Sequence, residues 1–249
     1  MIVIPMAGLS SRFFKAGYTQ PKYMLEAHGE TLFSHSIKSF SKYFETDKFV
    51  FIVRDAYKTP MFVNQSAKDL GIKEFEIVVL EQETRGQAET VALGLSKFGS
   101  YEGALTIFNI DTFRPNFVYP DLTQLGRGYL EVFRGSGDNW SFAKPLNESS
   151  TLVIETAEKK SISELCCTGL YHFKDIKEYF IAYDAYIALP VEEWVNGELY
   201  IAPLYNILIN KGFEIHFNLI GRGEVVFCGV PEEYDLFLAK PYVAIGFEF

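Results

Sequence analysis

The order of apolar segments in the first half of the chain narrows the possible folds more than any other feature. Short apolar runs at residues 2–6, 49–53, 75–80 and 105–109 are separated by stretches with helical apolar spacing at 32–44, 60–70 and 87–97. A short run without polar alternation is the pattern of a strand buried on both faces, and such strands joined by helices build a parallel sheet through right-handed crossovers. The first half therefore reads β-α-β-α-β-α-β. Ligands in sheets of this kind bind beyond the carboxyl ends of the strands, so the residues just after each strand are where chemistry is expected.

The second half changes character. Residues 128–134, 141–144, 151–158 and 168–173 read as strands joined by turns of Gly, Asp and Asn, with helices at 174–185, 199–211 and 231–239. No stretch has the composition of a linker, a repeat or a low-complexity tract. A chain of 249 residues, 48% hydrophobic, can bury a full core. With 32 acidic against 23 basic side chains and a net charge of -9, nucleic acid and anionic membrane are not expected partners. No apolar run reaches bilayer length, and the start lacks a basic leader region and is broken by Pro5. Cys166, Cys167 and Cys228 show neither a CxxC nor a Cys/His ligand spacing, which suits a reduced, cytoplasmic setting. His28, His35, His172 and His216 are scattered and read as structural or surface residues.

Residues 1–25 depart from the acidic average, carrying Arg12, Lys15 and Lys22 and no carboxylate. The first strand runs into Ala7-Gly8-Leu9-Ser10-Ser11-Arg12-Phe13, a small-residue loop whose backbone N–H groups can approach phosphate oxygens. Arg12 adds a charged fork, and Pro21-Lys22 a second cation. Neither GxxxxGK[ST] nor GxGxxG is present, so the P-loop and dinucleotide-binding readings lose their main support.

The strand followed by MAGLSSRF and then PKYML resembles the signature loop of the sugar nucleotidyltransferase family. The resemblance implies an α/β three-layer sandwich with a mixed, mainly parallel central sheet, the GT-A-like nucleotide-diphospho-sugar transferase fold. With no linker in the sequence, one domain over residues 1–249 is the simplest reading, and the resemblance implies an NTP-binding half at 1–125 and an acceptor-binding half at 126–249. In that family the backbone at Ala7, Gly8 and Leu9 would hold the nucleotide, while Arg12 and Lys22 would contact the triphosphate and the acceptor phosphate.

Three further segments extend the resemblance. Glu81-Gln82-Glu83-Thr84-Arg85-Gly86-Gln87 corresponds to the family's base-reading segment, with Gly86 giving close approach and Glu81, Gln82 and Gln87 as alternatives for the base contact. Asp111 closes an apolar strand in Phe108-Asn109-Ile110-Asp111-Thr112 and matches the family's metal-binding aspartate. Mg²⁺ takes hard oxygen ligands and usually keeps several waters, so one or two carboxylates with triphosphate oxygens suffice. Glu155-Thr156-Ala157-Glu158-Lys159-Lys160 and the Gly169 strand resemble the acceptor segments, which would set Lys159 on the acceptor phosphate and Gly169 beside the acceptor. Lys160 stands where the family often has proline, and Cys228 where it commonly has a second metal-binding aspartate. A thiol is a poor Mg²⁺ ligand, so Asp111 would hold the ion with water and phosphates, or another oxygen ligand such as Glu198 would contribute.

The N-terminal block, NIDTF and DNWSF look most like the capsule-linked cytidylyltransferases within the family. That likeness implies CTP as the donor, a small phosphorylated acceptor such as phosphoglutamine, and leaves a homodimer open. Rival readings are a sugar-1-phosphate nucleotidyltransferase, a GT-A glycosyltransferase and a non-catalytic nucleotide-binding protein. The glycosyltransferases typically carry DxD, which this chain lacks. Trp140 and Trp194 are candidates for stacking on a base or lining an acceptor pocket, with core packing the simpler role.

Overall fold

The computed structural model describes residues 1–98 and 102–240. The chain forms two compact units. One consists of residues 1–3, 82–107 and 119–222, and the other of residues 4–81, 108–118 and those from Gly223 on. No helix among the described residues is long and apolar enough to cross a membrane.

In the first unit the strands run in the order Val153–Glu158, Ser141–Pro145, Leu165–Phe173, Leu105–Phe108 and Ile2–Pro5. The last two are parallel, with Ile2 opposite Thr106 and Val3 opposite Ile107. Gly128–Arg134 joins this sheet antiparallel to Leu165–Phe173, and Ile215–Ile220 lies parallel to it. The strand expected at 168–173 begins at Leu165, because Cys166 and Cys167 already pair with Phe133 and Val132. Ile215–Ile220 lies outside the strands read from the sequence, although its alternating burial is the period-two signal of a half-buried strand. The helix expected at 199–211 is confined to Leu204–Asn210. Its first residues are drawn off because the Leu199 N–H donates to Arg85 O and Leu199 O accepts from the Ala88 N–H, both at 2.9 Å.

His172 is buried in this unit, its ring stacked on Tyr129 with centroids 5.1 Å apart and its Nδ1 2.9 Å from the Thr106 hydroxyl. Burial, reinforced by the N-terminal ammonium, lowers its pKa from 6.5 to about 4. The folded state therefore disfavours the protonated ring. Stability is intact above pH 6.5 and about 3 kcal/mol of it is lost as pH falls from there towards 4. The expected result is a melting temperature that drops less between pH 7 and 5 in His172→Gln than in the unmodified protein; equal slopes would assign the acid sensitivity elsewhere.

In the second unit Ile2–Pro5, Lys48–Arg54 and Glu74–Leu80 lie side by side, the latter two parallel from Lys48 opposite Glu74 to Arg54 opposite Leu80. The helices expected at 60–70 and 32–44 form as Thr59–Asp69 and as Leu32–Ile37, the latter continued by a 3-10 segment, Lys38–Tyr43. Thr112–Phe113 pairs antiparallel with Val226–Phe227. Its core gathers Phe13, Leu25, Leu32, Phe113, Cys228, Tyr234 and Phe237. Burying aromatic and aliphatic side chains of this size contributes roughly 1.5–3 kcal/mol each, which pins the backbone beside each of them.

Candidate active site

That second core fixes four polar segments, each anchored by a buried neighbour. Phe13 follows Arg12, Leu25 lies just after Lys22, Phe113 follows Asp111 by two, and Cys228 precedes Gly229. The loop after the first strand exposes Gly8 and Leu9, and nothing lies within 4 Å of where a Gly8 Cβ would stand. Ser10 takes a left-handed conformation, φ 51°, and its hydroxyl accepts from the Lys22 N–H at 3.2 Å instead of capping the helix Ser11–Lys15. Arg12 is exposed on that helix. The structure thus ties the two cationic segments to each other through Ser10.

Lys22 Nζ donates to Asp111 Oδ2 at 2.5 Å, with the side chains 20% and 23% exposed, so both remain open to a ligand. The same antiparallel pairing sets the next partner in place, since the Cys228 N–H donates to Asp111 O at 2.8 Å. Gly229 follows, and a Cβ there would stand 3.1 Å from Asp111 Oδ2 and 3.5 Å from Glu233 Oε2. The two carboxylates therefore both lie against Gly229, where an added Cβ would crowd Asp111 and touch Glu233. Glu233 also accepts from the Gly229 N–H at 2.8 Å, which orients it. Sequence reasoning did not single out Glu233; the signal was its place in Cys228-Gly229-Val230-Pro231-Glu232-Glu233, at the start of the helix Pro231–Ala239.

Cys228 does not take the part of an aspartate. Its side chain is fully buried, and burial, followed by the nearby Glu233 and Asp111 carboxylates, pushes the thiol pKa far up. The neutral thiol belongs to the core. The donors that suit a hard cation here are the oxygens of Asp111 and Glu233, so the residues present fit Mg²⁺. Glu81, exposed after Glu74–Leu80, also belongs to this unit.

The remaining sequence-derived residues lie in the other unit. Gly86 has φ 150°, and a Cβ on it would meet Leu199 O at 2.4 Å. The close approach it permits is to the chain's own backbone, at the head of the helix Gln87–Leu95. Lys159, left-handed at φ 53°, bonds the Tyr200 hydroxyl, and its ammonium lies 4.5 Å from the centre of that ring. Beside it Glu158 is buried and bonded to Ser141, whose hydroxyl is 3.2 Å from that of Tyr171. Burial raises the Glu158 pKa, the Ser141 bond and Lys159 oppose it, and exposed Glu198 adds a like charge. Lys159 and Glu198 thus share the surroundings of Glu158. Gly169, φ 96°, lies where the pairing of Leu165–Phe173 shifts register between Cys167 and Tyr171. Trp194 is buried with the Arg85 guanidinium 5.1 Å from its ring centre, a packing role. The histidines bond to carbonyls or hydroxyls, His28 to Phe237 O, His35 to Ala27 O and His216 to Thr151.

No protein-family model matches the chain. No curated protein matches it either. Among solved structures, the nucleoside-diphosphate-sugar pyrophosphorylase from Vibrio cholerae RC9 superposes with a TM-score of 0.93 at 64% identity, covering 96% of this chain and 100% of that one. The chain belongs to the nucleoside-diphosphate-sugar pyrophosphorylase family. More distant members of this nucleotidyltransferase fold also superpose. A UDP-glucose pyrophosphorylase complexed with UDP-glucose gives a TM-score of 0.71 at 15% identity, over 95% of this chain and 96% of that one. The inositol-1-phosphate CTP transferase from T. maritima gives 0.66 at 18% identity, over 95% and 93%. At such identities these two carry the fold alone, the mixed α/β arrangement with a mainly parallel sheet expected from the sequence.

Proposed function

We propose that this member of the family is a Mg²⁺-dependent nucleotidyltransferase that moves a nucleoside monophosphate, CMP from CTP, onto a small phosphorylated acceptor and releases pyrophosphate. The observation that carries the reading is the Lys22–Asp111 pair at 2.5 Å, held beside the small-residue loop by Ser10 and facing Glu233 across Gly229. Phosphate-facing cations and oxygen ligands for a cation are then available within one unit.

The chemistry needs no proton-transfer dyad. An acceptor phosphate is ionised near neutral pH; its oxygen forms the new bond to the α-phosphorus while the bond from that phosphorus to the β-bridging oxygen breaks and pyrophosphate departs. Catalysis then rests on alignment and on neutralising charge that builds on the departing phosphates. Lys22 and Arg12 supply fixed positive charge to them, and the backbone at Ala7, Gly8 and Leu9 supplies N–H donors. Asp111 and Glu233 would hold Mg²⁺, which supplies further charge neutralisation at the triphosphate. The likeness of residues 155–160 to the family's acceptor segment assigns Lys159 to the acceptor phosphate.

CTP and a phosphoglutamine-like acceptor, as in capsule modification, follow from the likeness of the N-terminal block, NIDTF and DNWSF to capsule-linked cytidylyltransferases. A sugar 1-phosphate acceptor is the second reading, favoured by the name of the relative at 64% identity. Pyrophosphate release measured for each of four NTPs against phosphoglutamine and a set of sugar 1-phosphates separates them. CTP with phosphoglutamine is expected to give the highest kcat/KM; a sugar 1-phosphate ahead of it would move the assignment to the second reading, and no release with any pair would refute transferase activity.

A further inference from the structure

The loop that follows Lys48–Arg54 holds two non-glycine residues in succession in the left-handed region, Tyr57 at φ 53° and Lys58 at φ 57°. L side chains rarely adopt that conformation, and it persists only where surrounding contacts determine it. Burial is not the compensation, because Tyr57 is 56% exposed. Its ring instead stacks on Phe14, with centroids 5.3 Å apart and planes 21° apart. Phe14 lies on the same five-residue helix as Arg12, Ser11–Lys15. A helix that short is unstable by itself, and this one has no side-chain cap, since the Ser10 hydroxyl is engaged by the Lys22 N–H.

Two residues further on, the same loop reaches the other cationic segment. The Thr59 hydroxyl is 2.8 Å from that of Tyr23, which follows Lys22, and also donates to Ala56 O at 2.6 Å. Tyr23 and Thr59 are both buried. One strained turn thus reaches the Arg12 helix through an aromatic stack and the Lys22 turn through a hydroxyl pair.

We propose that residues 55–59 are a brace setting the two phosphate-facing cations in register, with Tyr57 the positioning residue for Arg12 and Thr59 that for Lys22. The functional half of this inference rests on the reading of Arg12 and Lys22 given above. Tyr57 touches no reacting atom in this account; it acts through Phe14.

The test uses the full chain as Tyr57→Ala, Tyr57→Phe, Arg12→Ala and the double variant Arg12→Ala/Tyr57→Ala. Without ligand, amide exchange at Phe14 and Ala16, whose N–H groups bond Ser10 O and Arg12 O, should accelerate in Tyr57→Ala and return to normal in Tyr57→Phe. With Mg²⁺ and inorganic tripolyphosphate as the probe, calorimetric affinity should fall about tenfold in Tyr57→Ala, the scale of one aromatic pair. Tyr57→Phe should restore it, and the double variant should bind no more weakly than Arg12→Ala. Unchanged exchange in Tyr57→Ala overturns the brace, as does a loss that adds fully to that of Arg12→Ala. Faster exchange in Tyr57→Ala with normal tripolyphosphate affinity in Arg12→Ala upholds the brace and refutes the assignment of Arg12 to the triphosphate.

Discussion

Replacing Lys22 or Asp111 by alanine is expected to leave a folded protein whose kcat/KM for pyrophosphate release has fallen by about 10²–10³, the cost of removing one preorganised electrostatic contact to a transition state. The two consequences separate because the pair is only partly buried, at 20% and 23% side-chain exposure. An ion pair so placed contributes about 1 kcal/mol or less to folding, solvent screening taking the rest. The segments that bear it are held independently, Lys22 by its N–H on Ser10 and Asp111 by its carbonyl on Cys228. Far-UV circular dichroism and a melting curve check the first half of the expectation and steady-state pyrophosphate release the second. Full turnover in either variant would remove that residue from the mechanism, and loss of the melting transition would recast the pair as structural.

The second large effect distinguishes two glycines that look alike in the sequence. Gly86→Ala should destabilise the protein by about 3–5 kcal/mol, combining backbone strain with the loss of main-chain hydrogen bonds. The reason is local: its Cβ would meet Leu199 O at 2.4 Å and Leu199 N at 2.6 Å, main-chain atoms held by their own bonds to Ala88 and Arg85. Gly8→Ala should leave stability nearly unchanged, because its Cβ meets nothing within 4 Å. If the Gly8 backbone approaches a nucleotide, the added methyl weakens nucleotide binding all the same. Thermal melts of the two variants, with Mg·CTP titration of Gly8→Ala, check this. A Gly86→Ala protein as stable as its parent would show that the crossing with Leu199 relaxes at little cost.

These glycines also show where the sequence was legible. Apolar runs revealed Ile2–Pro5, Lys48–Arg54 and Leu105–Phe108 because burial on both faces leaves a one-dimensional trace, whereas Glu74–Leu80, last in the sheet order, pairs parallel with Lys48–Arg54 but buries only Val78 and Leu80. The loop at 7–12, Lys22 and Asp111 were singled out by position and family resemblance together, each lying just past a strand or beside a proline. Glu233 was not, because its approach to Asp111 depends on an antiparallel pairing between residues more than a hundred positions apart, Phe113 opposite Val226. Cys228 was legible as a departure from the family, but its burial beside Phe13 and Phe113 is a property of the core that no local pattern encodes. Tyr57 was likewise hidden, since nothing in Asp55-Ala56-Tyr57-Lys58 announces two left-handed residues. The residues before Leu204 were misread as helical because the backbone partners of Leu199, Arg85 and Ala88, are remote in sequence.

Isotopic label followed from the two ends of the triphosphate shows whether the α-phosphate of an NTP is joined to a phosphorylated acceptor. With CTP labelled at the α or the γ position, Mg²⁺ and the best acceptor of the panel, α label is expected in the acceptor product and γ label in pyrophosphate, at equal rates. Gamma label in inorganic phosphate, or α label remaining in CTP while acceptor is present, would contradict that transfer.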